Sequence, residues 1–150
     1  MNHVLIDVRD IAYPPWIKAA ETFSLSVLGE LGFRDWELSI VFCSDAFMQD
    51  LNREYRAKDE PTDVLSFEMG ETVEREDGPT YLAGDIVISL PALARNIEEF
   101  SVDPEEELKR LIIHGILHLS GQDHATNDSG EPMLRAQEAI LGRLAQVRIR

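Results

Sequence analysis

Apolar and polar residues alternate from Val4 to Val8, the spacing of a half-buried strand. Pro14-Pro15 then opens a helix, since proline is tolerated in the first turn. Trp16, Ala20, Phe23, Val27 and Leu31 recur at helical spacing, and Gly32 marks its C-terminal stop. Glu37 to Phe42 is dense in β-formers and predicts a second strand. Ser44 is placed to cap a helix carrying Phe47, Met48, Leu51 and Tyr55 on one face. Lys58-Asp59-Glu60-Pro61 breaks the chain, and Thr62 to Phe67 predicts a third strand. Glu71 to Thr80 is polar and acidic, contains Gly78-Pro79, and reads as an exposed hairpin loop. Gly84 to Ile88 is expected to return from it as a fourth, antiparallel strand. Ser89 caps a short helix with Pro91 near its start and Leu93, Ala94, Ile97 and Phe100 toward the core. Asp103-Pro104-Glu105-Glu106-Glu107 is a strong helix start, with acids at the positive end of the macrodipole. That helix runs through Leu108, Leu111, Ile112, Gly115, Ile116 and Leu119. Asp128 or Ser129 opens a last helix containing Leu134, Ile140, Leu141 and Leu144. The pattern contains no repeat or interdomain linker. It predicts one α+β domain over 1–150: a small mixed four-stranded sheet packed by about five helices.

The composition fits that picture: 150 residues, 44% hydrophobic and 28% charged, are ordinary for a single globular core. No apolar run is long enough to span a bilayer, and the N-terminus lacks a signal-peptide pattern, so no membrane association and a cytoplasmic location are expected. Cys43 is alone in an apolar run, so any metal site must be built from histidine and carboxylate. The net charge of −14 argues against a protein that grips nucleic acid through its whole surface. The charge is uneven, however. Acids gather at Glu68–Asp77 and around Glu98–Glu107, whereas Arg53, Arg56 and Lys58 form one basic cluster and Arg143, Arg148 and Arg150 another.

The segment His114-Gly115-Ile116-Leu117-His118-Leu119-Ser120-Gly121-Gln122-Asp123-His124 holds three of the four histidines. His114 and His118 share a helix face, Gly121 offers a stop, and His124 follows the turn. The spacing can bring three imidazoles onto one metal ion at the end of a core helix, leaving a fourth position open for water. A structural or exposed role suits His3, which stands alone. The segment also fits the zinc-protease signature H-E-x-x-H-x-x-G-x-x-H at every fixed position but one. Gly115 stands where that signature has its catalytic glutamate, so the usual proton shuttle of peptide hydrolysis is missing. Glycine costs about 1 kcal/mol inside a helix. The gain is space, either for close helix packing or for a substrate. A phosphodiester, which brings its own charge to the metal, fits such a site better than a peptide.

On these residues the chain resembles the YbeY family of bacterial rRNA-maturation endoribonucleases. HGILHLSGQDH at 114–124 fits the family pattern H-G-x-L-H-L-x-G-x-D-H. Leu51-Asn52-Arg53-Glu54-Tyr55-Arg56, with Asp59-Glu60-Pro61-Thr62-Asp63-Val64-Leu65-Ser66-Phe67, resembles a second family run. Gly84-Asp85-Ile86-Val87-Ile88 and the tail Met133–Leu141 resemble two more. Glu68 departs from a usual proline and Gln122 from a common aromatic, and Ala83 is inserted between Leu82 and Gly84. The resemblance implies a zinc-dependent, single-strand-specific endoribonuclease acting in 16S rRNA 3′-end maturation and ribosome quality control. It implies one Zn²⁺ on His114, His118 and His124, although three imidazoles also suit nickel or copper, and partners that are single-stranded RNA and the ribosome or its proteins. It also implies Arg56 as a functional arginine, in agreement with the fit of a guanidinium to phosphate. A surface ion pair of Arg56 with Asp59, Glu60 or Asp63 is the plainer alternative. Asp85, an acid in an apolar strand, is a candidate to orient a ligand histidine, hold a turn or act as a base. Asp123 is expected to make helix-end or loop hydrogen bonds. Two other classes share the histidine spacing: a metallopeptidase or small-molecule hydrolase, and a non-catalytic ribosome-associated factor whose zinc only stabilises the fold.

Overall fold

A computed structural model describes residues 1–124, 126, 128 and 130–150. The elements are β1 (His3–Arg9), α1 (Ile17–Glu30), β2 (Trp36–Cys43), α2 (Asp45–Arg56), β3 (Val64–Arg75), β4 (Gly78–Ser89), α3 (Leu90–Phe100), α4 (Pro104–Leu119) and α5 (Pro132–Arg143). The strands form one mixed sheet in the order β1-β2-β4-β3. β1 and β4 both run parallel to β2, and β3 pairs antiparallel with β4 as the free edge near α4. The α+β class, the four strands and the five helices match the sequence expectation.

Strand alternation divides the core. Leu38, Ile40 and Phe42 of β2 and Ile86 and Ile88 of β4 join Phe23 and Leu28 of α1 and Ile112, Ile113 and Ile116 of α4 in the main core. The alternate residues Val41, Cys43 and Val87 face the other way and meet Phe47, Met48 and Leu51 of α2. Burial of Cys43 pushes its thiol up to about 12, so it is an inert packing group at neutral pH. α4 is buried on most sides, as its apolar run requires. Its start follows the sequence signals: Asp103 accepts from the Glu106 N–H at 3.0 Å, Pro104 occupies the first turn, and three glutamates follow. Ser44 and Ser89 cap α2 and α3 in the same way.

Four expectations need correction. The polar stretch at 71–80 is mostly strand, because β3 continues to Arg75 and β4 begins at Gly78. The β3 side of this arm is largely exposed, so the ladder forms there without apolar alternation. Ala94 and Phe100 of α3 are exposed, not core-facing; Phe100 stands where α3 ends and Ser101 turns the chain into the left-handed region. α1 begins after the two prolines, at Ile17 with Trp16 in the cap position. α5 starts at Pro132, beyond Asp128, whose carboxylate instead accepts from the Gly130 N–H at 2.8 Å. Proline at the first helical position sets that start; Ser129 lies outside the described residues.

The alanine inserted before Gly84 is a β-bulge. Glu37 pairs with Leu82 and Leu38 with Gly84, leaving buried Ala83 as the extra residue. Gly84 follows with φ +138°, and a Cβ there would run into the Phe67 carbonyl oxygen.

Candidate metal centre

α4 delivers two imidazoles and the turn after it delivers the third. Gly121 N–H bonds to the His118 carbonyl at 3.0 Å and Gln122 N–H to the Leu117 carbonyl at 3.1 Å, a Schellman ending with Gly121 at φ +95°. The chain reverses there, and His124 comes back to the helix end. Ligand nitrogens of His114, His118 and His124 lie within 4.8 Å of one another. All three residues are partly buried.

The outward nitrogens are already engaged. His114 Nδ1 lies 2.8 Å from Gln137 Oε1, and His124 Nδ1 lies 2.8 Å from the Thr126 carbonyl oxygen. His118 Nδ1 is 3.9 Å from an Asp123 carboxylate oxygen. An oxygen acceptor at Nδ1 requires the proton there, which leaves the Nε2 lone pair facing inward. The Nε2 atoms of His114 and His118 are 3.1 Å apart. Without a metal that distance suits an N–H···N hydrogen bond, and with both Nε2 atoms unprotonated it suits two lone pairs shared by one cation. Nitrogens on one tetrahedral zinc are separated by roughly 3.3 Å given the usual bond lengths. Three neutral imidazoles therefore fit a zinc-like ion. Burial lowers the pKa of His114 and of His118, which keeps both in the neutral, ligating form.

The cluster opens into a cleft of about 750 Å³ bounded by the β3 edge, the segment after α2 and the end of α4. Arg56, Lys58, Glu60, Glu68, Asp123, His114 and His118 line it. Arg56 donates through Nη2 to the Ser66 carbonyl at 2.8 Å, and its guanidinium stands 5.6 Å from the Phe67 ring centre. Among the described residues Arg56 has no carboxylate partner, so the ion pair considered from sequence is not formed. Arg53 takes that part, bonding Asp50 and Asp59 at 2.7 and 3.2 Å. Two of the three C-terminal arginines are also occupied: Arg143 pairs with Glu30, and Arg148 lies 3.7 Å from Glu105.

Asp85 is not brought to the histidines. It pairs across the ladder with Phe67, while its neighbour Ile86 points to α4 and meets Gly115. Asp85 therefore projects from the opposite face, where it accepts a hydrogen bond from Ser39. The expectation that it orients a ligand or serves as the base is corrected by this strand parity. Asp123 caps the turn, accepting from the His124 N–H at 2.8 Å. His3 is exposed at the start of β1. Gly115 serves packing, because a Cβ there would sit 2.7 Å from Ile86 Cγ2.

Two contributors were missed from sequence. Gln137 interrupts the core-facing stripe of Met133, Ile140 and Leu141, and a polar residue in such a stripe needs a partner. Asn52 is 3% exposed and donates to the Glu60 carbonyl at 2.8 Å, shaping the cleft wall. Both signals lay in polar residues at apolar positions.

The fold and the site define a class: an α+β domain whose central helix and the turn after it bring together three imidazoles, able to hold a metal ion, beside a cleft at the sheet edge. The model of the family "Endoribonuclease YbeY" matches residues 8–145. An endoribonuclease YbeY of Treponema denticola is 55% identical over 122 residues, covering 81% of this chain and 79% of the relative. That of Treponema pallidum strain Nichols is 47% identical over 148 residues, covering 98% and 92%. The solution structure of TM1509 from Thermotoga maritima superposes with a TM-score of 0.62 at 28% identity, covering 95% of this chain and 90% of that one. The chain belongs to the endoribonuclease YbeY family. Among the described residues no helix is long and apolar enough to cross a membrane.

Proposed function

We propose that this protein is a zinc-dependent endoribonuclease that cuts single-stranded RNA, acting in 16S rRNA 3′-end maturation and ribosome quality control in the cytoplasm. The observation that carries the reading is the convergence of three imidazoles, two of which line a cleft that also holds Arg56. Family membership supports RNA as the substrate and an endonucleolytic cut as the reaction. Single-strand preference, zinc, the rRNA target and ribosomal partners rest on the sequence resemblance.

In this reading 1–150 form one catalytic domain, and His114, His118 and His124 hold the ion. Bound there, a divalent ion supplies Lewis acidity toward phosphate and lowers the pKa of a coordinated water. The cleft walls carry two cations and three carboxylates, so the added dication is what turns the local field attractive to a phosphate. Arg56 is held by Ser66 with guanidinium N–H groups left to donate, and it stabilises negative charge on the phosphate oxygens. Burial around α4 keeps the imidazoles neutral and limits water behind them.

Metal analysis with cleavage of an unstructured RNA tests the proposal. Wild type should hold about one zinc per chain, the number one three-histidine site takes, and cut internally. Cleavage by stringently purified His114→Ala at the wild-type rate would overturn the metal role. The peptidase reading is disfavoured by Gly115, where Ile86 occupies the space a glutamate would need. Zinc retention without RNA cleavage, and unfolding on chelation, would favour the non-catalytic factor instead.

A further inference from the structure

Beyond the three imidazoles, a line of side chains runs from α4 to α5 and back to the metal centre. The Arg110 guanidinium donates through Nε to both Glu138 carboxylate oxygens, at 3.2 and 3.1 Å. The same carboxylate accepts from Gln137 Nε2 at 3.2 Å. The other end of that amide, Oε1, lies 2.8 Å from His114 Nδ1.

An amide can face an imidazole in two ways. With its oxygen toward Nδ1 it accepts, the proton stays on Nδ1, and Nε2 is free to bind a cation. With its NH₂ toward Nδ1 it donates, the proton moves to Nε2, and the imidazole cannot ligate through that atom. The Glu138 carboxylate decides between them, because it can only accept and so takes the NH₂ end. Turning the amide over would set its oxygen against the carboxylate. Arg110 in turn fixes Glu138 by holding both of its oxygens.

We infer that Arg110, Glu138 and Gln137 form a relay that sets the tautomer of His114, making Gln137 a positioning residue for the metal centre. The inference rests on the three-histidine metal reading. Gln137 does not itself line the cleft, and it acts through the His114 imidazole alone. The two other histidines have partners close in sequence and need no such relay: His124 Nδ1 lies against the Thr126 carbonyl, and His118 Nδ1 lies 3.9 Å from Asp123. His114 is the ligand whose orientation depends on a side chain from a different helix.

The test uses the full chain. In the metal-free protein near pH 8, above the ordinary histidine range, a long-range ¹⁵N–¹H correlation spectrum should show the His114 proton on Nδ1. Gln137→Leu should move it toward Nε2 and weaken zinc binding by roughly 10–100-fold in competition with a chromophoric chelator. Gln137→Glu keeps an acceptor and should restore both the Nδ1 proton and the affinity. Glu138→Leu should produce a smaller loss in the same direction. A purely structural Gln137 would lower thermal stability without changing the tautomer. If Gln137→Leu fails to fold, the wild-type spectrum and Gln137→Glu still decide. A proton on Nε2 of wild-type His114 overturns the relay, as does wild-type zinc affinity in folded Gln137→Leu. A wild-type protein with the proton on Nδ1 but no zinc binding would break the metal reading and support the relay.

Discussion

The two faces of the sheet are made from the same strands, yet they create different chemistry. On one face α1 and α4 cover Ile40, Phe42, Ile86 and Ile88, and the end of α4 presents the histidines. On the other α2 covers only part of the sheet, and Asp85 sits with Ser39, Tyr55 and Phe67 beside a groove of about 410 Å³. The covered face provides desolvation, which keeps imidazoles neutral and ready to ligate. The open face leaves its carboxylate in water. One residue of strand parity separates them, and Asp85 and Ile86 stand on either side of that division.

The largest expected effect falls on the covered face. His118→Ala removes an inward ligand, so zinc retention and RNA cleavage should fall by more than the roughly 10–100-fold typical of losing an outer partner. Metal analysis and single-turnover cleavage measure this. Arg56→Gln should bind metal normally but cut RNA about 10²–10³-fold more slowly, as when one transition-state donor is lost. An unaltered rate would remove Arg56 from the reaction. Gly115→Ala should destabilise by about 1–3 kcal/mol in urea unfolding, because the new methyl strikes Ile86. Ile86→Ala in the same chain should relieve part of the added cost, read as coupling in a double-mutant cycle.

The pH response is smaller. His114 and His118 have lowered pKa values in the fold, so the unfolded chain binds protons first as pH falls below about 6.5. Their contribution is therefore complete above that pH and lost progressively below it, until the folded-state imidazoles protonate as well. Metal-free urea unfolding at about pH 7.5 and 5.5 should show the decline, with a shallower slope in His114→Gln. On the open face, Asp85→Asn should leave zinc binding unchanged and shift stability by no more than about 0.5 kcal/mol. Loss of zinc in that variant would erase the distinction between the faces.

The metal cluster was legible because its parts are local. A four-residue spacing, a glycine stop and one more histidine are short-range features, and the Schellman turn converts them directly into geometry. Element types were legible for the same reason, from Ser44, Ser89 and Asp103 as caps to the apolar stripes. The side of the sheet on which Asp85 would stand was not. Its alternation with Ile86 and Val87 is plain, but which of those faces α4 is decided by packing between segments distant in sequence. The arm at 71–80 hid its strands because solvated strands carry no apolar period. Gln137 belongs to a third kind: its position in the stripe of α5 was visible, but its partner could be found only once α4 and α5 were packed.

The placement of β3 has a consequence for how copies of this protein avoid one another. A long free edge strand exposes a row of unpaired amides and carbonyls on which another chain can build. Glu68, Glu71 and Glu74 stand exposed along the outer half of β3, so an approaching copy meets like charge before it meets backbone. The inner stretch from Val64 to Phe67 carries no charge. It borders the cleft instead, where Arg56 occupies the Ser66 carbonyl. Three of the acids of this acidic chain thus stand against edge-to-edge pairing, and Glu68 among them also meets the cleft.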